Sequence, residues 1–169
     1  MNSMSKPVYH DDSCGCKKVR VRESEPLLKC KTGFPLTITE DVTTGTTFTL
    51  NTITVKTGHF YNPCFKFEFA SNIITDTTTS TLSFQIFKLC KDQTVPTPIG
   101  PAWLYNKAAS FGAESFTFVV CDCECDCDCE KENCCVYSVV VTAVSTEIGT
   151  TIINNPTFSI LVVDNKSKC

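Results

Sequence analysis

Histidine is nearly absent from this sequence: two in 169 residues, His10 and His59. The first lies in a charged leading segment and the second in the turn-like "TGHFYNP", where a histidine reads as a surface residue rather than a catalytic base. No G-x-S-x-G elbow, phosphate loop or H-E-x-x-H accompanies them. We therefore expect neither an enzyme nor a cofactor. A net charge of −3 leaves no basic footprint for nucleic acid. No run of eighteen apolar residues is present, so no helical membrane span and no membrane partner is expected. The leading "MNSMSKPVYHDDSCGCKKVRVR" has no apolar core and does not read as a secretory signal. Apolar residues nowhere recur at 3.6 spacing over a long stretch, which argues against helices.

Cysteine, by contrast, occurs thirteen times. Residues 121 to 135, "CDCECDCDCEKENCC", place cysteines at alternate positions with Asp or Glu between them. In an extended strand Cys121, Cys123, Cys125, Cys127 and Cys129 would share one face and the acids the other. Same-face neighbours stand roughly 6.6 Å apart, whereas a disulfide needs Cβ atoms about 3.8 Å apart. Consecutive members of the run therefore need partners from elsewhere. Disulfides persist outside the reducing cytosol, yet nothing marks the chain for secretion. Bound metal, export by another route, or oxidation after the producing cell dies would each resolve that conflict. An odd number of cysteines leaves at least one for an intermolecular bond or a free thiol.

Residues 1–31 read as an arm. They are rich in Lys and Arg, poor in apolar residues, and carry Cys14, Cys16 and Cys30. Residues 32–169 read as one β-domain, because from Phe34 onward the period is two. "TTFTLNTITVK", "CFKFEFA", "TLSFQIFKLC", "SFTFVVC", "VYSVVVTAV" and "TFSILVV" alternate apolar with polar residues and are rich in Thr, Val, Ile and Phe. "TTGT", "YNP", "PTPIGP", "SFGAE" and "INNP" read as turns between them. Seven or eight such strands imply an all-β, antiparallel, jelly-roll-like sandwich with an extended N-terminal arm. Strands at 115–121 and 135–144 would form the legs of a hairpin whose cysteine-rich tip lies within 121–135. The Asn165-Lys166-Ser167 triplet matches a glycosylation sequon but carries little weight without a secretory signal.

Two chemistries compete for the cysteine run. Cys123, Cys125, Cys127 and Cys129 could hold a soft metal as a thiolate cluster. Against this, the interleaved acids would add to the negative charge of such a cluster, and the chain has enough apolar sequence to fold without metal. The other chemistry is disulfide formation.

"NPCFKFEFASNIIT", "LSFQIFKLCKDQTVPTPIGPAW", "ESFTFVVCDCECDCDC" and "CCVYSVVVTAV", in that order, resemble a clostridial cysteine-rich family known as a domain of unknown function, over roughly residues 34 to 163. In architecture the chain also resembles the subunits of Bacillus endospore appendages, jelly rolls preceded by a cysteine-bearing connector. That second resemblance implies a structural subunit whose partners are other copies of itself, polymerised into disulfide-crosslinked fibres or a surface layer on the spore. Synthesis in the mother cell would then need no signal peptide. It further implies that Cys14 or Cys16 bonds to another subunit, with Cys30, Cys121 or a member of the 123–135 cluster as partner. The remaining cysteines among Cys123, Cys125, Cys127, Cys129, Cys134 and Cys135 are expected to pair within the tip. The basic "CKKVRVR" and the acidic run would steer that encounter.

Overall fold

A computed structural model describes residues 25–39, 41–60, 62–76, 79–91, 93–123, 134–144 and 150–164. Cys14, Cys16, Cys125, Cys127 and Cys129 lie outside the described residues, as does most of the arm. Nine strands follow one another: β1 (Leu27–Thr32), β2 (Leu36–Ile38), β3 (Thr47–Lys56), β4 (Pro63–Thr75), β5 (Ser80–Cys90), β6 (Thr97–Lys107), β7 (Gly112–Cys123), β8 (Cys134–Ala143) and β9 (Thr151–Asp164). None of the described elements is a helix.

The strands form two antiparallel sheets. Sheet A runs β1-β9-β4-β7, with β2 also paired to β9, and sheet B runs β3-β8-β5-β6. Chain-adjacent strands thus mostly lie in different sheets, which is the double Greek key of a jelly roll. The period of two explains the layers. In β4, Phe65, Phe67, Phe69, Ser71 and Ile73 point into the sandwich while Lys66, Glu68, Ala70 and Asn72 face solvent. Strands β8 and β9 alternate likewise, so Tyr137, Val139 and Val141 meet Phe158, Ile160 and Val162 in the core. Aromatic rings bridge the layers, with Phe67 5.2 Å from Tyr137 and Phe69 5.6 Å from Phe84 between centroids.

Three sequence expectations are corrected. First, β1 begins inside the segment assigned to the arm. Leu27 packs on the core, and β1 pairs with β9 from Leu27↔Val162 to Thr32↔Thr157. Lys29 and Lys31 masked this strand because their charge reads as arm, yet both ammonium groups serve as donors to β3. Lys29 Nζ donates to the Thr54 carbonyl at 2.7 Å and Lys31 Nζ to that of Thr52 at 3.4 Å. Second, β7 and β8 are not the legs of a hairpin. β7 pairs with β4 in sheet A and β8 with β3 and β5 in sheet B, so residues 124–133 connect one sheet to the other.

Third, two of the turn signals lie inside strands. "PTPIGP" enters β6, where Gly100 has φ 64° and Gln85 Nε2 donates to the carbonyls of Ile99 and Gly100 beside a register shift. "INNP" lies within β9, where Asn155 has φ 50° and the register against β4 shifts between Ala70 and Asn72. A proline in a central strand is tolerated at such a bulge. The freed Pro156 carbonyl accepts from Gly33 N and Asn51 Nδ2, both at 2.7 Å.

Candidate functional site

Six of the seven described cysteines lie toward one end of the sandwich, whereas Cys30 lies near mid-sheet, level with Glu68 and Val119. At that end β3, β5, β7 and β9 finish and β1, β4, β6 and β8 begin, as the registers Pro63↔Asp164, Cys64↔Cys123, Lys56↔Cys134 and Cys90↔Cys135 show. The connections at the opposite end, residues 39–46, 76–79, 108–111 and 144–150, contain no cysteine. In sequence, Cys14 and Cys16 precede β1, Cys125, Cys127 and Cys129 fall between β7 and β8, and Cys169 follows β9, all outside the described residues.

Among the described residues two disulfides close this end, each between residues directly opposite on neighbouring strands. Cys64–Cys123 joins β4 to β7, with Cα atoms 4.1 Å apart, on the outer face of sheet A. Cys90–Cys135 joins β5 to β8, with Cα atoms 4.0 Å apart, on the inner face of sheet B, where Cys135 belongs to the core. Cys123 and Cys135 therefore do not pair within the tip. Their partners are strand neighbours that sequence reasoning passed over. The usable signal was parity: Cys64 falls in step with the outward Lys66 and Glu68, and Cys90 with the inward Leu82, Phe84 and Ile86. In the disulfide Cys123 is unavailable as a thiolate ligand. Among the described residues no group of His, Cys, Asp or Glu is placed to hold a metal.

Three described cysteines are free: Cys30 and Cys121, both exposed, and Cys134, half-buried. The expected alternation holds through Cys123, with Cys121 and Cys123 outward and Asp122 turned toward the interior. Cys121 faces Lys66 across β4. Lys66 and Glu68 form an ion pair at 2.5 Å. The Glu68 hydrogen bond and charge hold the Lys66 ammonium above the ordinary lysine value, with a smaller contribution from Cys121. Lys66 in turn holds Glu68 below the ordinary carboxylate value. His59 is exposed in the β3–β4 turn against the Phe60 ring.

The four sheet edges differ. On one side of the sandwich, edge strand β3 of sheet B is covered by the Lys29 and Lys31 ammonium groups. On the other side, edge strand β6 carries Pro98 and Pro101, which have no N–H to offer. Sheet A ends in β1 and β7, and neither contains proline. In β7 the exposed positions include Ser115, Thr117, Val119 and Cys121, which are good strand formers apart from Ser115.

A family model described as "Domain of unknown function (DUF4489)" matches residues 24–163. The chain belongs to this family. No curated protein matches it in sequence. Among solved structures, the DUF4489 chain superimposes on a chain of the infectious bursal disease virus Gx strain with a TM-score of 0.53 at 9% identity, over 86% of this chain and 35% of that one. T=1 particles derived from infectious bursal virus give a TM-score of 0.52 at 8% identity, over 84% and 32%. The DUF4489 chain thus spans about a third of the length of these viral chains, and the likeness at such identity is one of fold.

Proposed function

We propose that this DUF4489 protein is a structural subunit that assembles with copies of itself into a disulfide-crosslinked polymer, a fibre or layer on the spore exterior like an endospore appendage. The observation that carries this reading is the gathering of cysteines at one end of a stable jelly roll. Among the described residues two disulfides already brace that end, and the free thiols of Cys121 and Cys134 stand beside them. A core built on both sheets needs no further covalent support to fold, so the surplus thiols are best used between molecules. The particle-forming viral relative in fold is consistent with a sandwich used as a building block. Synthesis in a mother cell and oxidation after its lysis would supply the disulfides in this reading. The chain does no chemistry on a substrate in this reading. A thiolate-metal or spore-coat role is less well supported, since Cys123 is already bonded to Cys64.

The test is negative-stain microscopy and non-reducing electrophoresis of the purified full-length chain after oxidation. Fibres or sheets should accompany a high-mass ladder that reductant collapses to monomer. A monodisperse monomer under oxidising conditions, or several tightly held metal ions per chain, would overturn the proposal.

A further inference from the structure

Resting on that reading, we infer that sheet A continues from one subunit into the next, β7 beside β1, and that Cys121 of one subunit is stapled to Cys30 of its neighbour. Four features lead here. The first is the guarding of the alternatives. Lysines cover the β3 edge and prolines interrupt β6, which among the described residues leaves the two edges of sheet A for strand addition.

The second is strand direction. β1, β9, β4 and β7 are successively antiparallel, so β1 and β7 run in opposite senses. A copy placed beside β7 in the same orientation therefore offers its β1 antiparallel to it, and the sheet extends without changing its pairing rule. The third is parity. Cys30 and Cys121 both point from the outer face of sheet A, one at each edge, and both are free and exposed. Facing residues of an antiparallel pair have Cα atoms about 4.5 or 5.5 Å apart, inside the 4.4–6.8 Å that a disulfide accepts.

The fourth is charge. Setting Cys121 opposite Cys30 also sets Asp122 opposite Lys29, opposite charges in register on the other face, and Val119 opposite Thr32. The alternative registers two residues away would place Asp122 opposite Leu27 or Lys31 and leave both thiols without a partner.

This register fixes the shape of the polymer. Within one subunit Cys30 lies level with Val119, through Ser159 and Glu68. Pairing it with Cys121 instead slides each new subunit by two residues, roughly 6.8 Å along the strands, for about 19 Å of advance across four strands. β7 meets β1 and never itself, so the contact is heterologous. With a constant slide and the sheet's own twist it does not close, and it builds a helical fibre.

The bond forms by exchange with a low-molecular-weight disulfide. The Cys121 thiolate attacks it, which releases one small thiolate and leaves a mixed disulfide. The Cys30 thiolate of the neighbour then displaces the second small thiolate and forms the Cys30–Cys121 bond. Two protein thiols lose two protons and two electrons, and the small disulfide is reduced to two thiols.

Equal amounts of ordinary and 15N-labelled full-length chain, reduced, mixed and oxidised with glutathione disulfide, should yield a proteolytic fragment in which Cys30 is joined to Cys121. Mixed-isotope pairs should be as abundant as same-isotope pairs. C30S alone and C121S alone should each lack the fragment, and their mixture should regain it. A high-mass ladder without that fragment, or with same-isotope pairs only, overturns this joint while the structural-subunit reading stands. Absence of any covalent polymer overturns both.

Discussion

Lys29 reaches from edge strand β1 of one sheet to edge strand β3 of the other and donates to the Thr54 carbonyl at 2.7 Å. Lys31 repeats the contact at Thr52. These lysines close one side of the sandwich with side chains rather than backbone, and an ammonium on an edge also discourages a foreign strand from pairing there. Replacing both by Met keeps the aliphatic stems and removes the donors. We expect a small loss of stability, about 1 kcal/mol for the pair at these exposed sites. The larger effect should be on association: reduced protein should scatter more light, through β3 edges that disulfide chemistry does not control. Unchanged scattering would show that β3 is protected by something else.

The two disulfides should respond differently to removal. Each closes a loop of tens of residues, 59 for Cys64–Cys123 and 45 for Cys90–Cys135, so loop entropy predicts a similar loss of about 4 kcal/mol for either. Cys135, however, is 3% exposed and packs in the core, whereas the outer pair lies on a solvent face. Cys90→Ala/Cys135→Ala should therefore cost more than Cys64→Ala/Cys123→Ala, by about 1–2 kcal/mol for the vacated volume. Valine at both inner positions should recover much of that difference. Denaturant unfolding of the three double variants measures it, and equal losses would refute the inner-face assignment.

How far the sequence reveals this molecule depends on which force dominates at each position. Where burial dominates, alternation is faithful: "CFKFEFA" becomes the inward Phe65, Phe67 and Phe69 with Lys66 and Glu68 outward. The all-β sandwich follows from such runs. Where another force wins, the pattern misleads. β6 has only Ile99 and Tyr105 buried, so little alternation marks it, and its prolines read as a turn. Pro156 reads as a strand breaker, but its bulge and the Asn51 and Gly33 donors place it in β9. At the cysteine-bearing end the thiols are plain in the sequence, but their partners depend on strand order. Cys123 and Cys135, 12 positions apart, lie in different sheets and bond to β4 and β5. Nothing local to "CDCECDCDCEKENCC" encodes that.

Tyr105 gives a pH signature. Its side chain is 5% exposed, and its hydroxyl, beside Glu114 and Thr75, makes no well-aligned hydrogen bond among the described residues. Burial raises its pKa above the ordinary tyrosine value of 10.0, and the negative charge of Glu114 adds to the rise. Because the folded pKa exceeds the unfolded one, the stabilising contribution is full below pH 10 and is lost as pH rises through the folded value. Tyr105→Phe should remove that alkaline loss. It should also raise stability at neutral pH by about 1 kcal/mol, since a poorly satisfied buried hydroxyl disappears. Thermal melts of both proteins between neutral and strongly alkaline pH check both claims, and a destabilised phenylalanine variant at neutral pH would contradict them.

Gly33 connects the bulge in β9 to the edge proposed as a joint. Its N–H donates to the Pro156 carbonyl at 2.7 Å, and that carbonyl also accepts from Asn51. The approach is close: a Cβ on residue 33 would stand 2.6 Å from the Leu50 carbonyl oxygen and 2.8 Å from Asn51 Oδ1. The first is backbone, at the bulge where β3 slips against β8 between Thr49 and Asn51, and it cannot swing aside as a side chain would, so Gly33→Ala should push the end of β1 away from β3. The cost should be about 1–3 kcal/mol, typical of overpacking at a tight site. It should be local first, because β1 is a short edge strand while β3 is held along its length by β8. Amide exchange should therefore accelerate across Leu27–Thr32 well before it does in β3 or β8. The same variant should polymerise poorly if β1 is the edge that receives β7, even though Cys30 and Cys121 are both intact. Normal exchange in β1, or exchange that rises equally in β3, would show that Gly33 does not govern the seating of this edge.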